Sequence, residues 1–223
     1  MKKLTLTIPT GRLKDEVLEL LSRLLPAPLA LPPRQLVIED PSLPWRIILS
    51  HPKDVATYVE HGAADLGFVG KDILLERGNE VYELLDLHIG KCIMVLAGPE
   101  SVTKEDLLKR EHLRIATKYP HFTRQYIQGQ GMHADLVVLY GSIELAPAIG
   151  IADGIVDLVS TGKTLRENRL HILEEIVPIS TRLVANHVSM KTKTMEIEEF
   201  TRTLKEVIPY EDRPEATQRT SGS

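Results

Sequence analysis

The residues whose types and spacing best suit chemistry form one hydroxyl-rich turn: Ser160, Thr161, Gly162, Lys163 and Thr164. The apolar, strand-like segment 154–159 precedes this turn, and a helix-like segment follows it. Backbone N–H groups at a helix N-terminus point outward and the helix dipole is positive there, which favours a bound anion. Gly162 lets such an anion approach the main chain closely. The pattern predicts a phosphate-binding turn, and a capped helix start without a ligand is the alternative interpretation.

Two carboxylates, Asp153 and Asp157, lie on the strand-like segment before the turn and are candidates for binding ribose hydroxyls. Alternate residues of a strand share one face, so we expect the two carboxylates to converge. Together with the turn they indicate a sugar phosphate as ligand. For Asp153 the alternative is the chemistry of a helix-to-strand turn. Asp157 lies between Val156 and Leu158, and a carboxylate in such surroundings needs a partner.

An ATPase P-loop is a competing interpretation, because Gly162-Lys163-Thr164 resembles the end of that motif. The motif also needs a glycine five residues before the Gly-Lys pair. This chain has Asp157 at that position, inside an apolar strand, so the P-loop is rejected.

Composition excludes several other classes of protein. The 223 residues suffice for one large domain or two small ones, and a net charge of −4 argues against a nucleic-acid-binding surface. The single cysteine, Cys92, excludes an internal disulfide, fits a reducing compartment and lies in an apolar run that favours packing over nucleophilic catalysis. No His/Cys group has zinc-site spacing. We expect a cytoplasmic protein without a membrane segment, because neither a signal peptide nor a membrane-spanning apolar run is evident.

Strand and helix signals alternate along the chain, which is typical of a mostly parallel sheet with helices on both faces. The predicted strands are 4–8, 36–38, 46–49, 66–69, 82–87, 92–97, 113–116, 136–139, 155–159, 170–177 and 181–188. The predicted helices are 17–25, 53–60, 71–76, 104–110, 121–128, 143–149 and 190–207. The polar segment 209–223 is predicted to be disordered.

An internal echo links two parts of the chain. Segments 61–70 and 149–157 each contain a Gly-x-Ala-Asp turn followed by an apolar strand. Two similar α/β lobes would explain the echo, and convergent loop chemistry is the alternative.

Several stretches carry a family resemblance in a consistent order: Pro9–Leu13, His51–Asp54, Gly62–Asp72, Arg114–Pro120, Gly141–Asp153 and Asp157–Asn168. Together they resemble the short form of ATP phosphoribosyltransferase, over residues 4–208. The chain departs from the family pattern at Thr10, where lysine is usual, and at His51, where arginine is usual.

The resemblance implies an α/β fold similar to type II periplasmic binding proteins, with two lobes, mixed and mostly parallel sheets, and ligands in the cleft. Lobe I would contain residues 1–90 plus 176–208, and lobe II residues 91–175 with the phosphate turn. The long form carries a further regulatory domain where this chain has only a short polar segment. The resemblance therefore implies a separate regulatory subunit similar to histidyl-tRNA synthetase, in a hetero-oligomer built on catalytic dimers.

The implied reaction transfers phosphoribosyl from 5-phosphoribosyl 1-diphosphate (PRPP) to N1 of ATP and releases diphosphate, the first step of histidine biosynthesis. It needs alignment and charge stabilisation, so no residue is assigned as a nucleophile. The turn 160–164 would hold the 5-phosphate. The alternative for the Lys163 side chain is a solvated cation that does not contact the phosphate. Asp153, Asp157 and Glu144 would contact the ribose or diphosphate, with helix capping as the alternative for Glu144. Mg²⁺ would be carried by the substrate phosphates, so no protein metal site is expected.

A weaker set of candidates for ATP or diphosphate binding comprises Arg12, Lys53, Asp72, Lys91 and Tyr119. Arg12 follows a Pro-Thr-Gly turn after the first strand, where its side chain would contact a triphosphate or diphosphate. The alternative is that the side chain is only solvated. Tyr119 could stack on adenine or pack in the core.

Two other functions stay open. A solute-binding module would share the two-lobed shape, but it predicts a secretion signal. Another phosphoribosyltransferase would use a different acceptor, but common type I enzymes place two adjacent acids before their phosphate turn. Here three residues separate Asp153 from Asp157.

Overall fold

The computed structural model describes residues 3–29, 31–32 and 34–208, so the predicted disordered segment 209–223 lies outside the described residues. The strands are β1 (Leu4–Pro9), β2 (Val37–Ile38), β3 (Trp45–Ser50), β4 (Leu66–Gly70), β5 (Tyr82–Asp86), β6 (Cys92–Pro99), β7 (Leu113–Thr117), β8 (Ala134–Val138), β9 (Gly154–Val159), β10 (Leu170–Ile179) and β11 (Thr181–Ala185). The helices are α1 (Arg12–Ser22), α2 (Val55–Glu60), α3 (Lys71–Arg77), α4 (Lys104–Leu108), α5 (Pro120–Gly129), α6 (Leu145–Ala148), α7 (Lys163–Glu167), α8 (His187–Thr192) and α9 (Thr194–Val207). A 3-10 turn at Pro52–Asp54 leads into α2.

These strands form two mixed sheets. The first has the order β2-β3-β1-β4-β11-β5, and the second has the order β10-β6-β9-β7-β8. Each sheet contains a parallel trio, β3-β1-β4 in the interior of the first and β9-β7-β8 at one edge of the second. The remaining pairings are antiparallel. Two successive reversals return β5 to the direction of the first trio and β10 to the direction of the second, so four strands of each sheet run the same way. The predicted α/β fold with mixed, mostly parallel sheets is confirmed.

Central strands are buried on both faces, which explains their nearly continuous apolar sequences. In β1, Leu6 and Ile8 on one face and Thr7 on the other are all 0% exposed. The Thr7 hydroxyl remains hydrogen-bonded, because it lies 3.1 Å from Ser50 Oγ of β3. α1 and α9 cover the first sheet with apolar side chains that include Leu21 and Phe200.

The predicted helix 190–207 is divided into α8 and α9 at Lys193, and the preceding strand is shorter than predicted. β11 ends at Ala185 because Asn186 begins α8, where its side-chain Oδ1 accepts hydrogen bonds from Val188 N and Ser189 N. Asn is a favoured N-cap residue, so the early helix start has a local cause.

The chain passes between the sheets twice, at residues 87–91 and at Ser180. Backbone hydrogen bonds hold these crossovers together, from Thr181 N to Ile89 O and from Leu87 N to Thr181 O. β10 pairs with β6 as far as Ile179, which lies beyond the predicted lobe boundary at residue 176. Within the described ranges, no helix has the length and hydropathy needed to cross a bilayer.

Candidate functional site

The loops that follow parallel strands of the two sheets face each other. Tyr119, after β7, donates its hydroxyl to Asp72 Oδ2, after β4, at 3.1 Å. Burial raises the pKa of the Asp72 carboxyl, although the hydrogen bond from Tyr119 and the nearby charge of Lys53, after β3, oppose that rise. Arg12, after β1, acts electrostatically on Cys92 at the start of β6. The arrangement agrees with the rule that ligands bind beyond the carboxyl ends of parallel strands.

A cavity of about 310 Å³ opens at the end of β9. Its lining consists of Lys118, Glu144, Ile155, Asp157, Leu158, Val159, Ser160, Thr161, Gly162, Lys163, Thr164 and Leu165. All five residues of the predicted phosphate turn, with Asp157 and Glu144, therefore lie around one cavity.

Gly162 gives the turn its shape. It has φ +69° and ψ 4°, in the left-handed region that glycine adopts readily, and α7 begins at the next residue. Thr161 Oγ1 lies 3.5 Å from Lys163 N, the first amide of the helix. The Lys163 side chain is 76% exposed and lies 3.8 Å from Glu167, which favours solvation for its ammonium group while its backbone stays in the turn.

Asp157 is held from two sides at the edge of the cavity. Its Oδ2 accepts a hydrogen bond from Lys118 Nζ at 3.1 Å, and its Oδ1 accepts one from Leu158 N at 2.8 Å. The Asp157 side chain is only 13% exposed, so Lys118 is the partner that its burial requires. Glu144 precedes α6 without making a side-chain capping bond, so the capping alternative does not explain its position.

Asp153 does not join this group, and the expected convergence with Asp157 is wrong. Its carboxylate accepts hydrogen bonds from Arg114 N at 2.8 Å and Arg110 Nη1 at 2.7 Å. In return, Asp153 N donates to Arg114 O at 2.7 Å. Asp157 is four residues after Asp153, a distance of roughly 13 Å along an extended strand, so the two carboxylates lie far apart even on a shared face: Asp153 lies just before β9 and Asp157 in its second half.

The internal echo has a structural counterpart at Asp65. Asp65 N donates to Thr5 O at 2.8 Å, and Asp65 Oδ2 accepts from Thr5 N at 2.8 Å, so β4 is joined to β1 as β9 is joined to β7. Each carboxylate also binds a basic side chain, Lys193 for Asp65 and Arg110 for Asp153, and Asp153 Oδ2 lies a further 3.5 Å from Arg114 Nε. The repeated geometry indicates that Asp153 connects strands, which is the turn chemistry considered as its alternative.

The weaker candidates divide into two groups. Asp72 and Tyr119 bond to each other, and burial together with the nearby Asp72 carboxylate raises the pKa of Tyr119. The Tyr119 hydroxyl is therefore protonated at neutral pH. Arg12 and Lys53 are exposed at the carboxyl ends of their strands, and Lys91 is exposed in the crossover before β6.

The positions that depart from the family pattern make local backbone contacts. His51 Nδ1 accepts a hydrogen bond from Lys53 N at 3.3 Å and begins the 3-10 turn. Thr10 N donates to Ser50 O at 2.8 Å, which joins the ends of β1 and β3.

Sequence reasoning missed one residue of the cavity, Lys118. Lys118 follows β7 directly, so its place at the end of a parallel strand was a usable signal. The half-buried Cys92 has its pKa raised to about 11 by burial and then by the carboxylates of Asp72 and Asp157. Its neutral thiol packs against the apolar cluster of the second sheet, and the prediction of a packing role is confirmed.

Among the residues that the structure describes, no group of three His, Cys, Asp or Glu side chains could hold a metal ion. Two carboxylates, Asp157 and Glu144, line the cavity. This donor set fits a cation that phosphates and water hold for the most part.

Comparisons with known proteins cover most of the chain. A family model described as ATP phosphoribosyltransferase matches residues 51–206. A protein named ATP phosphoribosyltransferase from Geobacillus sp. (strain WCH70) is 47% identical over 211 residues, which cover 92% of this chain and 99% of the relative. Another of that name, from Caldicellulosiruptor saccharolyticus, is 46% identical over 207 residues, with coverages of 92% and 98%.

Solved structures give a consistent picture. The ATP phosphoribosyl transferase (HisG:HisZ) complex from Thermotoga maritima contains a chain with 38% identity and a TM-score of 0.79, covering 92% of this chain and 98% of that one. The periplasmic aliphatic sulphonate binding protein SsuA from Escherichia coli has a TM-score of 0.58 at 13% identity, covering 93% of this chain and 72% of that one. At such low identity the second likeness concerns the fold alone.

Proposed function

This chain belongs to the ATP phosphoribosyltransferase family, and we propose that the cavity at the end of β9 is where it binds PRPP. The enzyme transfers phosphoribosyl from PRPP to N1 of ATP with release of diphosphate, the first step of histidine biosynthesis. The proposal depends on one observation, the meeting of the turn 160–164, Asp157 and Glu144 around a single cavity.

The turn holds the 5-phosphate of PRPP in this proposal. The left-handed Gly162 lies where α7 begins, and in this proposal the first amides of α7 donate to the phosphate while the hydroxyls of Ser160, Thr161 and Thr164 add donors. Hydrogen bonds from neutral donors to a charged phosphate are stronger than those to a neutral acceptor. The Lys163 side chain contributes little, because it is directed to solvent and Glu167.

Asp157 and Glu144 bind the ribose in this proposal. Asp157 keeps lone pairs for a ribose hydroxyl, since each of its oxygens accepts one hydrogen bond from the residues that the structure describes. Lys118 Nζ, 3.1 Å from Asp157, is placed to contact a phosphate oxygen as well. Asp153 is left out of the ligand set, because its oxygens connect β9 to β7.

Catalysis here follows from alignment and charge. The sugar gains positive charge as the bond from C1′ to diphosphate breaks and the bond from C1′ to adenine N1 forms. The carboxylates of Asp157 and Glu144 stabilise that positive charge, and the Lys118 ammonium stabilises the departing negative charge. Magnesium bound to the diphosphate would neutralise part of the leaving group's charge.

ATP lies on the opposite wall in this proposal. Arg12 and Lys53 follow β1 and β3 and supply positive charge for its phosphates, with Lys91 nearby in the chain crossover. Tyr119 borders the adenine site, and its bond to Asp72 sets its orientation.

A separate regulatory subunit completes the enzyme in this proposal. The Thermotoga maritima structure is described as a HisG:HisZ complex, and this chain covers 98% of the matched chain. We propose a partner similar to histidyl-tRNA synthetase, in a hetero-oligomer built on catalytic dimers. The cytoplasm is the proposed location, and the single free cysteine is compatible with a reducing compartment.

The test is the ultraviolet absorbance change that accompanies formation of N1-phosphoribosyl-ATP. ATP, PRPP and Mg²⁺ are mixed with the full chain, with and without a histidyl-tRNA-synthetase-like subunit from the same source. We expect product with the partner present. Product from the chain alone would remove the need for a partner, whereas no product in either mixture would favour a binding module or another acceptor.

A further inference from the structure

Helix α5 begins without a capping side chain of its own. Its N-cap residue Tyr119 makes no side-chain capping bond, and the first helical residue, Pro120, has no N–H. Thr123 N bonds to Tyr119 O at 2.9 Å. The amides of His121 and Phe122 therefore need acceptors from elsewhere, because the first amides of a helix have no partner within it.

Those acceptors are the carboxylate oxygens of Glu76, which lies on α3, the helix after β4 of the first sheet. Glu76 Oε1 accepts from His121 N at 3.1 Å, and Glu76 Oε2 accepts from Phe122 N at 3.0 Å. Both oxygens are used, and a negative charge at a helix N-terminus is favoured by the helix dipole. α3, which carries Glu76, follows β4 of the first sheet, whereas α5 follows β7 of the second. The contact therefore crosses between the two halves of the molecule.

Two further contacts lie beside it. Asp72, one turn before Glu76 on the same face of α3, accepts the hydroxyl hydrogen bond of Tyr119. Leu75 packs against the apolar cluster of the second sheet, which includes Met94. α3 thus holds the start of α5 with one apolar and two polar side chains.

We propose that Glu76 is a positioning residue for the transferase reaction, which fixes the start of α5 and thereby the preceding residues Lys118 and Tyr119. Lys118 lines the phosphate cavity and bonds to Asp157, so a shift at the start of α5 is transmitted to the PRPP site. Glu76 does not line that cavity and acts through α5. The inference rests on the function proposed above.

The first test compares Glu76→Gln with a matched control, Glu60→Gln. A glutamine keeps the size of the side chain, but it replaces one of the two accepting oxygens with an NH2 donor and removes the negative charge, so one α5 amide loses its acceptor. Glu60 also uses both oxygens, accepting from Glu80 N at 2.9 Å and Asn79 Nδ2 at 2.7 Å. Glu60 and both partners belong to the half of the molecule built on the first sheet, so this contact does not join the two halves. We expect Glu76→Gln to lower kcat/KM for PRPP about tenfold, and Glu60→Gln to change it less than about twofold, at similar thermal midpoints.

Hydrogen exchange and a double-mutant cycle separate positioning from general stability. We expect faster amide exchange in the first turn of α5 in Glu76→Gln and unchanged exchange there in Glu60→Gln. Tyr119→Phe removes the neighbouring bond to Asp72, so its effect on kcat/KM should be non-additive with Glu76→Gln.

Equal kcat/KM losses in Glu76→Gln and Glu60→Gln, or strict additivity with Tyr119→Phe, would overturn the role of Glu76. An inactive wild-type chain, assayed with its partner subunit, would instead overturn the proposed function.

Discussion

Replacing Gly162 by alanine tests the phosphate turn at the point where its shape is decided. Gly162 has φ +69°, and an alanine in this left-handed region costs about 1–2 kcal/mol. An added Cβ would lie 3.1 Å from Arg166 Nη1, the far end of a flexible side chain that can move. The alanine can therefore be accommodated sterically, and relief of the backbone strain would turn the amides at the start of α7 away from the cavity.

The expected loss of PRPP affinity follows from the hydrogen bonds at stake. A hydrogen bond to a charged group contributes about 1.5–3 kcal/mol. Misdirecting one amide of the turn should therefore weaken PRPP binding about 10- to 150-fold. Unfolding should shift by only a few degrees, since about 1 kcal/mol corresponds to roughly 2–4 °C for a chain of this size. Calorimetric titration of the chain with PRPP and Mg²⁺ measures the first quantity, and thermal unfolding measures the second.

Gly150→Ala is the matched control. Gly150 has φ +75°, and nothing lies within 4 Å of an added Cβ, so it carries similar backbone strain outside the cavity. We expect a similar loss of stability with PRPP affinity unchanged. Equal PRPP affinities for the two variants would refute the phosphate turn.

Three further predictions concern the same cleft. Asp157→Asn should raise KM for PRPP about tenfold or more, which rate assays measure. Asp153→Asn should lower the thermal midpoint in calorimetry with little effect on KM, because the Asp153 oxygens connect β9 to β7. Lys118→Met should weaken PRPP binding about tenfold and Lys163→Met less than about twofold, since only Lys118 bonds within the cavity; equal losses in a titration would contradict this. Alkylation of Cys92 should stay slow at pH 8.5 and accelerate towards pH 11, because its raised pKa leaves little thiolate below that value. Mass spectrometry measures the alkylation rate at each pH, and a rate profile with its midpoint near pH 8.5 would contradict the raised pKa.

Local pattern was enough to find most helices and strands and to predict a phosphate-binding turn. Alternating strand and helix signals predicted the α/β fold, because apolar periodicity reports which faces are buried. The turn 160–164 was also readable, since a glycine and hydroxyls at a helix start have a local conformational meaning. Short-range signals could not decide where strands stop, as in β11, where the Asn186 cap competes with further pairing.

The sequence by itself was enough to predict a phosphate group as the ligand at the end of β9, because the residues behind that prediction are nearly consecutive. Only the tertiary structure decided which distant side chains join it. Strand alternation puts Asp153 and Asp157 on one face, but their partners, Arg114 and Lys118, lie 39 residues away in the chain. The Glu76 cap of α5 spans 45 residues to His121. Such contacts depend on how two separately readable halves pack, and no local periodicity carries that information.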